Sequence, residues 1–312
     1  MIRIDCFARR AGIALRRSGE HIDAAVRIRV VTLNLLHGAP IPGARQARVS
    51  LETRLEWTSH HLAKEDPDVV LLQEASVSPR YGNTAQTLAR RLGMDFVYAR
   101  ANPTRIFRST GLRGLVRPLA FEEGPAVLSR LPIVERRVHR LSRRRRFFER
   151  RNAIEVVLEG PEARFSVFSV HLSAGSPAGR RRQIAALVRA VESTEHAHPV
   201  IVGGDFNAEE HSHEIRLLTE IEGWIDSFRH IHGEAPGHTW GQVLAEATST
   251  AGSRIDFLFS APAGDEHWDP SHSRLILDRS FPDSREGVLW ASDHYGVLTD
   301  FEAPSSRRNS AK

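Results

Sequence analysis

The chain has almost no sulfur. Cys6 is its one cysteine in 312 residues, which excludes an intrachain disulfide and leaves thiolate chemistry unexpected. Lysine is as scarce, at Lys64 and Lys312 only; every other basic side chain is arginine. The net charge of +5 therefore reflects an arginine preference as well as any polyanionic partner. No apolar run approaches the ~20 residues that cross a bilayer. Arginines interrupt the first 29 residues, so no continuous apolar segment of a secretory leader forms there. A reducing, cytoplasmic setting is the expectation. No internal repeat and no strong linker break residues 28–302.

What is present is a globular composition, 41% hydrophobic and 26% charged, in a chain long enough for a sizeable core. The organising stretch runs from Pro199 to Asn207. Val200, Ile201 and Val202 read as a strand buried on both faces. Gly203 and Gly204 then permit close backbone approach. In an extended segment Asp205 and Asn207 share a face, where a carboxylate and a carboxamide suit a hard cation and a phosphate oxygen. An Asx turn would explain the same pair.

Other strands end in the same way. Ile28 to Leu36 reads as a strand with Asn34 near its end, and Asp68 to Glu74 as a second, ending in an acid. Residues 45–64 fit a helix that Asp66-Pro67 stops. Asn83 caps another, carrying Leu88 and Leu92. Residues 100–122 read as a long loop, and Gly124 to Val134 as two short strands around Leu131-Pro132. Ala153–Leu158 and Arg164–His171 look like paired strands. Ser176-Pro177 opens a helix striped by Ile184, Leu187, Val188 and Val191, and another helix is expected near 209–220. Arg254 to Phe259 and Tyr295 to Phe301 are further strands. Residues 1–27 read as an extension outside the fold, and 303–312 as a polar tail. Strand-pair and strand–helix–strand connections together favour one α/β domain built on packed sheets.

Asn34, Glu74, His171, Asp205, Asn207, Asp293 and His294 thus fall at strand ends, and Asp256 sits among Ile255, Phe257, Leu258 and Phe259. A buried unpaired carboxylate is costly, so each acid needs a cation, a donor or water. Singly, each has an ordinary explanation in a turn, a strand end or a hydrogen-bonded core position. Together they form an oxygen-rich set with two histidines, suited to Mg²⁺ or Mn²⁺ rather than zinc.

In chain order, Thr32-Leu33-Asn34, Leu72-Gln73-Glu74, Gly124 to Arg130, Ser169 to Leu172, Gly204 to Asn207, Arg254 to Phe257 and Ser292-Asp293-His294 resemble the motifs of the endonuclease/exonuclease/phosphatase superfamily. The resemblance covers residues 28–302. It implies a four-layer α/β/β/α sandwich of two packed mixed sheets, and a metal-dependent hydrolase of a phosphodiester or phosphomonoester. It implies Glu74 as the main metal ligand, with Asn34 beside it and Asp293 nearby. It assigns Asp205 and Asn207 to positioning the attacking water or the phosphate, and His294, oriented by Asp256, to the phosphate. It makes His171 a donor to a phosphoryl oxygen. His171, where repair members usually carry a tyrosine, and Leu36, where they carry a second acid, depart from the repair nucleases, while His171-Leu172 and the Glu123-Gly124 to Leu128-Ser129-Arg130 stretch look more like the branch containing sphingomyelinases. A nuclease is the alternative substrate reading, and a polyanion-binding protein on an inactive scaffold is the rival from another class.

One feature lies outside those motifs. Arg136 to Arg151 holds nine arginines and one acid, Glu149. It reads either as a solvated surface or as a contact for an extended polyanion. The protein is expected to act as a monomer.

Overall fold

A computed structural model describes residues 4–7, 26–37, 50–103, 121–141, 150–161, 163–194, 200–263 and 266–303. The first part of the chain forms β1 (Ile4–Phe7), β2 (Arg27–Asn34), α1 (Leu51–Glu65), β3 (Val69–Ser78), α2 (Thr84–Leu92), β4 (Asp95–Ala99) and β5 (Glu122–Ser129). Next come β6 (Ile133–Arg140), β7 (Asn152–Glu159), β8 (Arg164–His171), α3 (Pro177–Glu192) and β9 (Val200–Asp205). The chain closes with α4 (His213–Arg216), β10 (Ile225–Asp226), α5 (Ser227–His232), β11 (Asp256–Ala261), β12 (Asp269–Ile276) and β13 (Gly296–Glu302).

One sheet runs β1-β4-β5-β3-β2-β13-β12, and the other β10-β11-β9-β8-β7-β6. Both are mixed: β2 with β3 and β8 with β9 are parallel, while the flanking pairs are antiparallel. The side-chain period of two sorts each central strand into a helix-facing and a sheet-facing row. Val31, Leu33, Val70 and Leu72 pack with Leu51, Leu55 and Leu88 of the helices on the first sheet. Val200, Val202 and Phe257 pack with Ile184 and Leu187 on the second. The opposite rows, with Val30, Val69, Leu71, Ile154, Val167 and Ile201, form a third core between the sheets. Three apolar interfaces give the α/β/β/α layering that the resemblance implies. Each fully buried Val, Leu or Phe in them contributes about 1.5–3 kcal/mol.

Local signals act as read at several points. Ser176 accepts from the Gly179 N–H, with Pro177 in the first turn of α3. Asn83 accepts from the Gln86 N–H at the start of α2. Asp66 ends α1 in the left-handed region. Gly204 is obligatory, because a Cβ there would lie 1.9 Å from the Val170 carbonyl oxygen of the neighbouring parallel strand.

Four readings change. Ile4–Phe7, read as outside the fold, is an edge strand paired antiparallel with Asp95–Ala99. The strand thought to end at Glu74 continues to Ser78, because a bulge between Leu72 and Ala75 absorbs the turn. The two short strands around Leu131-Pro132 belong to different sheets, β5 to the first and β6 to the second. The helix near 209–220 is one short turn, His213–Arg216, followed by a π-type turn over Leu217–Ile221. No described helix is long and apolar enough to cross a membrane. Arg143 to Arg146, with Phe147 and Phe148, lie outside the described residues.

Candidate active site

The site lies where the carboxyl ends of the two parallel pairs meet the amino ends of their antiparallel neighbours. The register places Asn34 beside Gln73, His171 beside Asp205, and Asp205 beside Asp256. His294 stands just before β13, which pairs with β2. Gln73 ties the two sheets beneath the site. Its amide donates to Ser169 Oγ at 3.3 Å, and Ser169 Oγ donates to the Leu72 carbonyl at 2.9 Å.

Asp205 is the hub and is buried. Asn34 Nδ2 lies 3.0 Å from its Oδ2, His171 Nε2 3.3 Å and His294 Nε2 3.9 Å. Its other oxygen accepts from the Asn207 N–H at 2.8 Å. This closes an Asx turn, and Asn207 takes a φ of 49°. The chain is no longer extended there, so strand alternation does not put Asn207 and Asp205 on one face; the turn brings them together. Asn207 Nδ2 donates to the Leu172 carbonyl at 3.0 Å.

His294 Nδ1 is 2.9 Å from Asp256 Oδ2, with both side chains buried. Burial opposes a charge on His294, but the Asp256 carboxylate outweighs it and the imidazole is pushed up to about 10. Burial pushes Asp205 up to about 7, against the pull of His294. His171 moves well below its ordinary value, through burial and then the Arg151 charge. Glu74 falls to about 2: burial resists, and neighbouring His37, through its charge and its backbone N–H, outweighs it. Asp293 is raised, by burial first, with Glu74 adding to the effect against His294.

Glu74 sits in the β3 bulge with a φ of 53°. Its Oε1 lies 3.4 Å from Asn34 Nδ2, while its Oε2 accepts from the His37 N–H at 3.1 Å. Asn34 Oδ1 is turned away, accepting from the Leu36 N–H at 3.0 Å. As oriented, Asn34 therefore holds the acids by donation; to ligate a cation it would have to rotate its amide. Asp293 Oδ1 lies 4.0 Å from His294 Nε2. The expected residues thus gather at neighbouring strand ends of the two sheets and the β3 bulge, with half-buried Asn207 just beyond β9. Among the described residues, Asp205, Asp256 and His294 form one group able to share a cation, and His37, Glu74 and Glu123 another. Carboxylate oxygens and imidazoles with no thiolate, with buried Asp205 and half-buried Asp293 both raised by their surroundings, fit a hard divalent cation.

Some contributors escape sequence reading. Arg54 is fully buried in α1 and donates to the carbonyls of Leu35, Leu36 and Ala291, so one side chain fixes the segments behind Asn34 and before Asp293. Thr239 Oγ1 accepts from the Ile255 and Asp256 N–H groups, while its carbonyl accepts from the Tyr295 N–H. It thereby fastens both members of the histidine–acid pair. The periodicity of a helix marks Arg54 as polar and out of place, but only the packed structure supplies its partners. Thr239 carries no local signal.

A family model described as Endonuclease/Exonuclease/phosphatase family matches residues 31–294. The chain belongs to that family. Solved structures agree on the fold. An endonuclease/exonuclease/phosphatase family protein from Bacteroides thetaiotaomicron is 17% identical with a TM-score of 0.65, covering 89% of this chain and 98% of its own. A mannosyl-6-phosphatase from the same species is 17% identical, TM-score 0.65, covering 88% and 99%. D. rerio TDP2 humanised by 14 mutations is 19% identical, TM-score 0.62, covering 89% and 99%. No curated protein matches the chain in sequence.

Proposed function

We propose that this family member is a divalent-metal-dependent hydrolase that cleaves a phosphodiester or phosphomonoester by in-line attack of water. The observation that carries the reading is the convergence of Asn34, His171 and His294 nitrogens on Asp205, with Asp256 behind His294. Phosphoryl transfer needs a positioned water, charge neutralisation and help for the leaving oxygen. Asp205, held by the Asn207 N–H and raised to about 7, is suited to take the proton of the attacking water near neutral pH. His294, kept cationic by Asp256, faces the same space and offsets charge on the phosphoryl group. His171, held neutral, presents Nε2 as a hydrogen-bond donor to a phosphoryl oxygen. Asn34 orients Asp205. Glu74 would hold the cation, with Asn34 and Asp293 beside it, and the cation supplies neutralisation of the developing phosphoryl charge.

The gathering of Asn34, Glu74, His171, Asp205, Asp256, Asp293 and His294 at neighbouring strand ends and the β3 bulge supports an enzyme over an inactive polyanion-binding scaffold. A hydrolysis panel tests this: ssDNA, dsDNA, RNA, sphingomyelin, phosphoinositides and aryl phosphates, with EDTA and with added Mg²⁺ or Mn²⁺. Turnover of a phosphate ester that EDTA abolishes is expected. Hydrolysis of nucleic acid alone would make the protein a nuclease. Tight binding of a polyanion with no turnover of any ester would reject the enzyme reading.

A further inference from the structure

The two oxygens of Glu74 face different groups. Oε1 looks toward Asn34, whose amide turns N–H toward it. Oε2 looks toward His37 and Glu123. His37 Nε2 lies 3.4 Å from Glu74 Oε2 and 3.2 Å from Glu123 Oε2. All three ligand atoms lie within 4.8 Å of one another. A cation about 2.1 Å from each ligand separates neighbours by about 3.0 Å at right angles and about 3.4 Å in a tetrahedron. The two spacings from His37 Nε2 to the carboxylates, 3.4 and 3.2 Å, fall in that range.

Three features build the group. The bulge sets Gln73 and Glu74 opposite Pro125 alone, since Leu72 pairs with Ala126 and Ala75 with Gly124. Pro125 has no N–H to offer the ladder, so the bulge costs no donor there. It swings Glu74 to the side of β5 that carries Glu123. The His37 ring packs edge-on against buried Phe121, with centroids 5.1 Å apart. The group also opens on a pocket that Glu74 and Glu123 share with Arg151 and His171, so the cluster faces the space beside the catalytic groups.

We infer that His37, Glu74 and Glu123 form a divalent-cation site on the Oε2 side of Glu74, with His37 Nε2 as a nitrogen ligand. The inference rests on the metal-dependent reading above, but it adds ligands and a preference. One imidazole with two carboxylates suits Mn²⁺ or a later first-row ion better than Mg²⁺, which favours oxygen and water. A cation there would also neutralise two acids that otherwise face an incoming phosphate.

The test is Mn²⁺ binding to the full-length protein, followed by equilibrium dialysis and pulsed EPR, with His37→Gln and Glu123→Gln alongside. Thermal melts check that each variant folds. The expected result is a ¹⁴N coupling to bound Mn²⁺ that disappears in His37→Gln, and Mn²⁺ affinity at least about tenfold weaker in both variants. The ratio of Mn²⁺ to Mg²⁺ affinity should fall in His37→Gln. Unchanged coupling in that variant, or bound Mn²⁺ with no ¹⁴N coupling in the unaltered protein, would overturn the site. The cluster is then a histidine paired with two acids, and EDTA-sensitive activity would leave the proposed function standing. No Mn²⁺ binding at all, with activity intact in EDTA, would remove both.

Discussion

His294 Nδ1 lies 2.9 Å from Asp256 Oδ2, and neither side chain reaches solvent appreciably. The carboxylate therefore acts on the imidazole without solvent screening, and it sets both its tautomer and its charge. Asp256→Asn should lower kcat by about 10²-fold or more, and His294→Ala by at least as much, with folding retained. The pH profile separates orientation from charge. A pKa raised to about 10 keeps His294 protonated across neutral pH, so its contribution is complete below its ordinary value near 6.5 and lost as pH rises through 10. In Asp256→Asn the basic limb of kcat should move toward neutral pH. An unmoved basic limb would mean that His294 does not act as a cation.

Asp205 is raised by burial to about 7, so it is protonated on the acid side of that value. Activity should fall as pH drops through that range, and the acid limb should vanish with the activity in Asp205→Asn. The expected loss in kcat is about 10²–10⁴-fold. A loss below tenfold on an accepted substrate would take Asp205 out of the chemistry.

Glu74 is held in its charged form, lowered to about 2 against its own burial by neighbouring His37. EDTA should abolish turnover, and Mg²⁺ or Mn²⁺ should restore it. Glu74→Gln should raise the half-saturating metal concentration, because the amide keeps the shape and loses the charge. Identical metal titrations for the variant and the unaltered enzyme would clear Glu74 of that role.

Arg254 makes two parallel hydrogen bonds to Asp226, at 2.8 and 3.1 Å, inside the second sheet's edge. It also pairs with Glu210 and lies over the Phe257 ring, 4.6 Å from its centre. Removing Arg254 leaves the buried Asp226 uncompensated, while Glu210 keeps Arg229, so Arg254→Ala should destabilise the fold by about 3–5 kcal/mol in urea denaturation. Because Arg254 is two residues before Asp256, activity should fall at temperatures where the variant is still folded. A change under about 1 kcal/mol would mean that solvent reaches the pair.

The arginine run gives a prediction from sequence alone. Changing Arg143 to Arg146 all to Ser should raise KM for a long nucleic acid or an anionic vesicle at low salt, and flatten the salt dependence. Turnover of a small aryl phosphodiester should barely change. Equal kinetics on the long substrate would leave the run as solvated surface.

Sequence alone determined the residue types and the order of the site. Asn34, Glu74, His171, Asp205, Asp256 and His294 each stand where an apolar strand begins, ends or bends, and the unbroken apolar runs Val69 to Leu72 and Val200 to Val202 already say that both faces of those strands are buried. Those features are local, so the chain carries them openly. Tertiary structure decided the rest. It showed that Glu74 sits in a bulge rather than at a strand end, opposite Pro125, which has no N–H for the ladder to lose, on a strand some fifty residues away. It brought His37 and Glu123 to the other oxygen of Glu74, and placed Arg54 and Thr239 behind the strand ends that carry Asn34, Asp256 and His294. It also turned the amide of Asn34 so that nitrogen, not oxygen, faces the acids. None of these has a periodic signature, since each depends on which strands pair and in what register, and a register is a contact between distant residues rather than a property of either one.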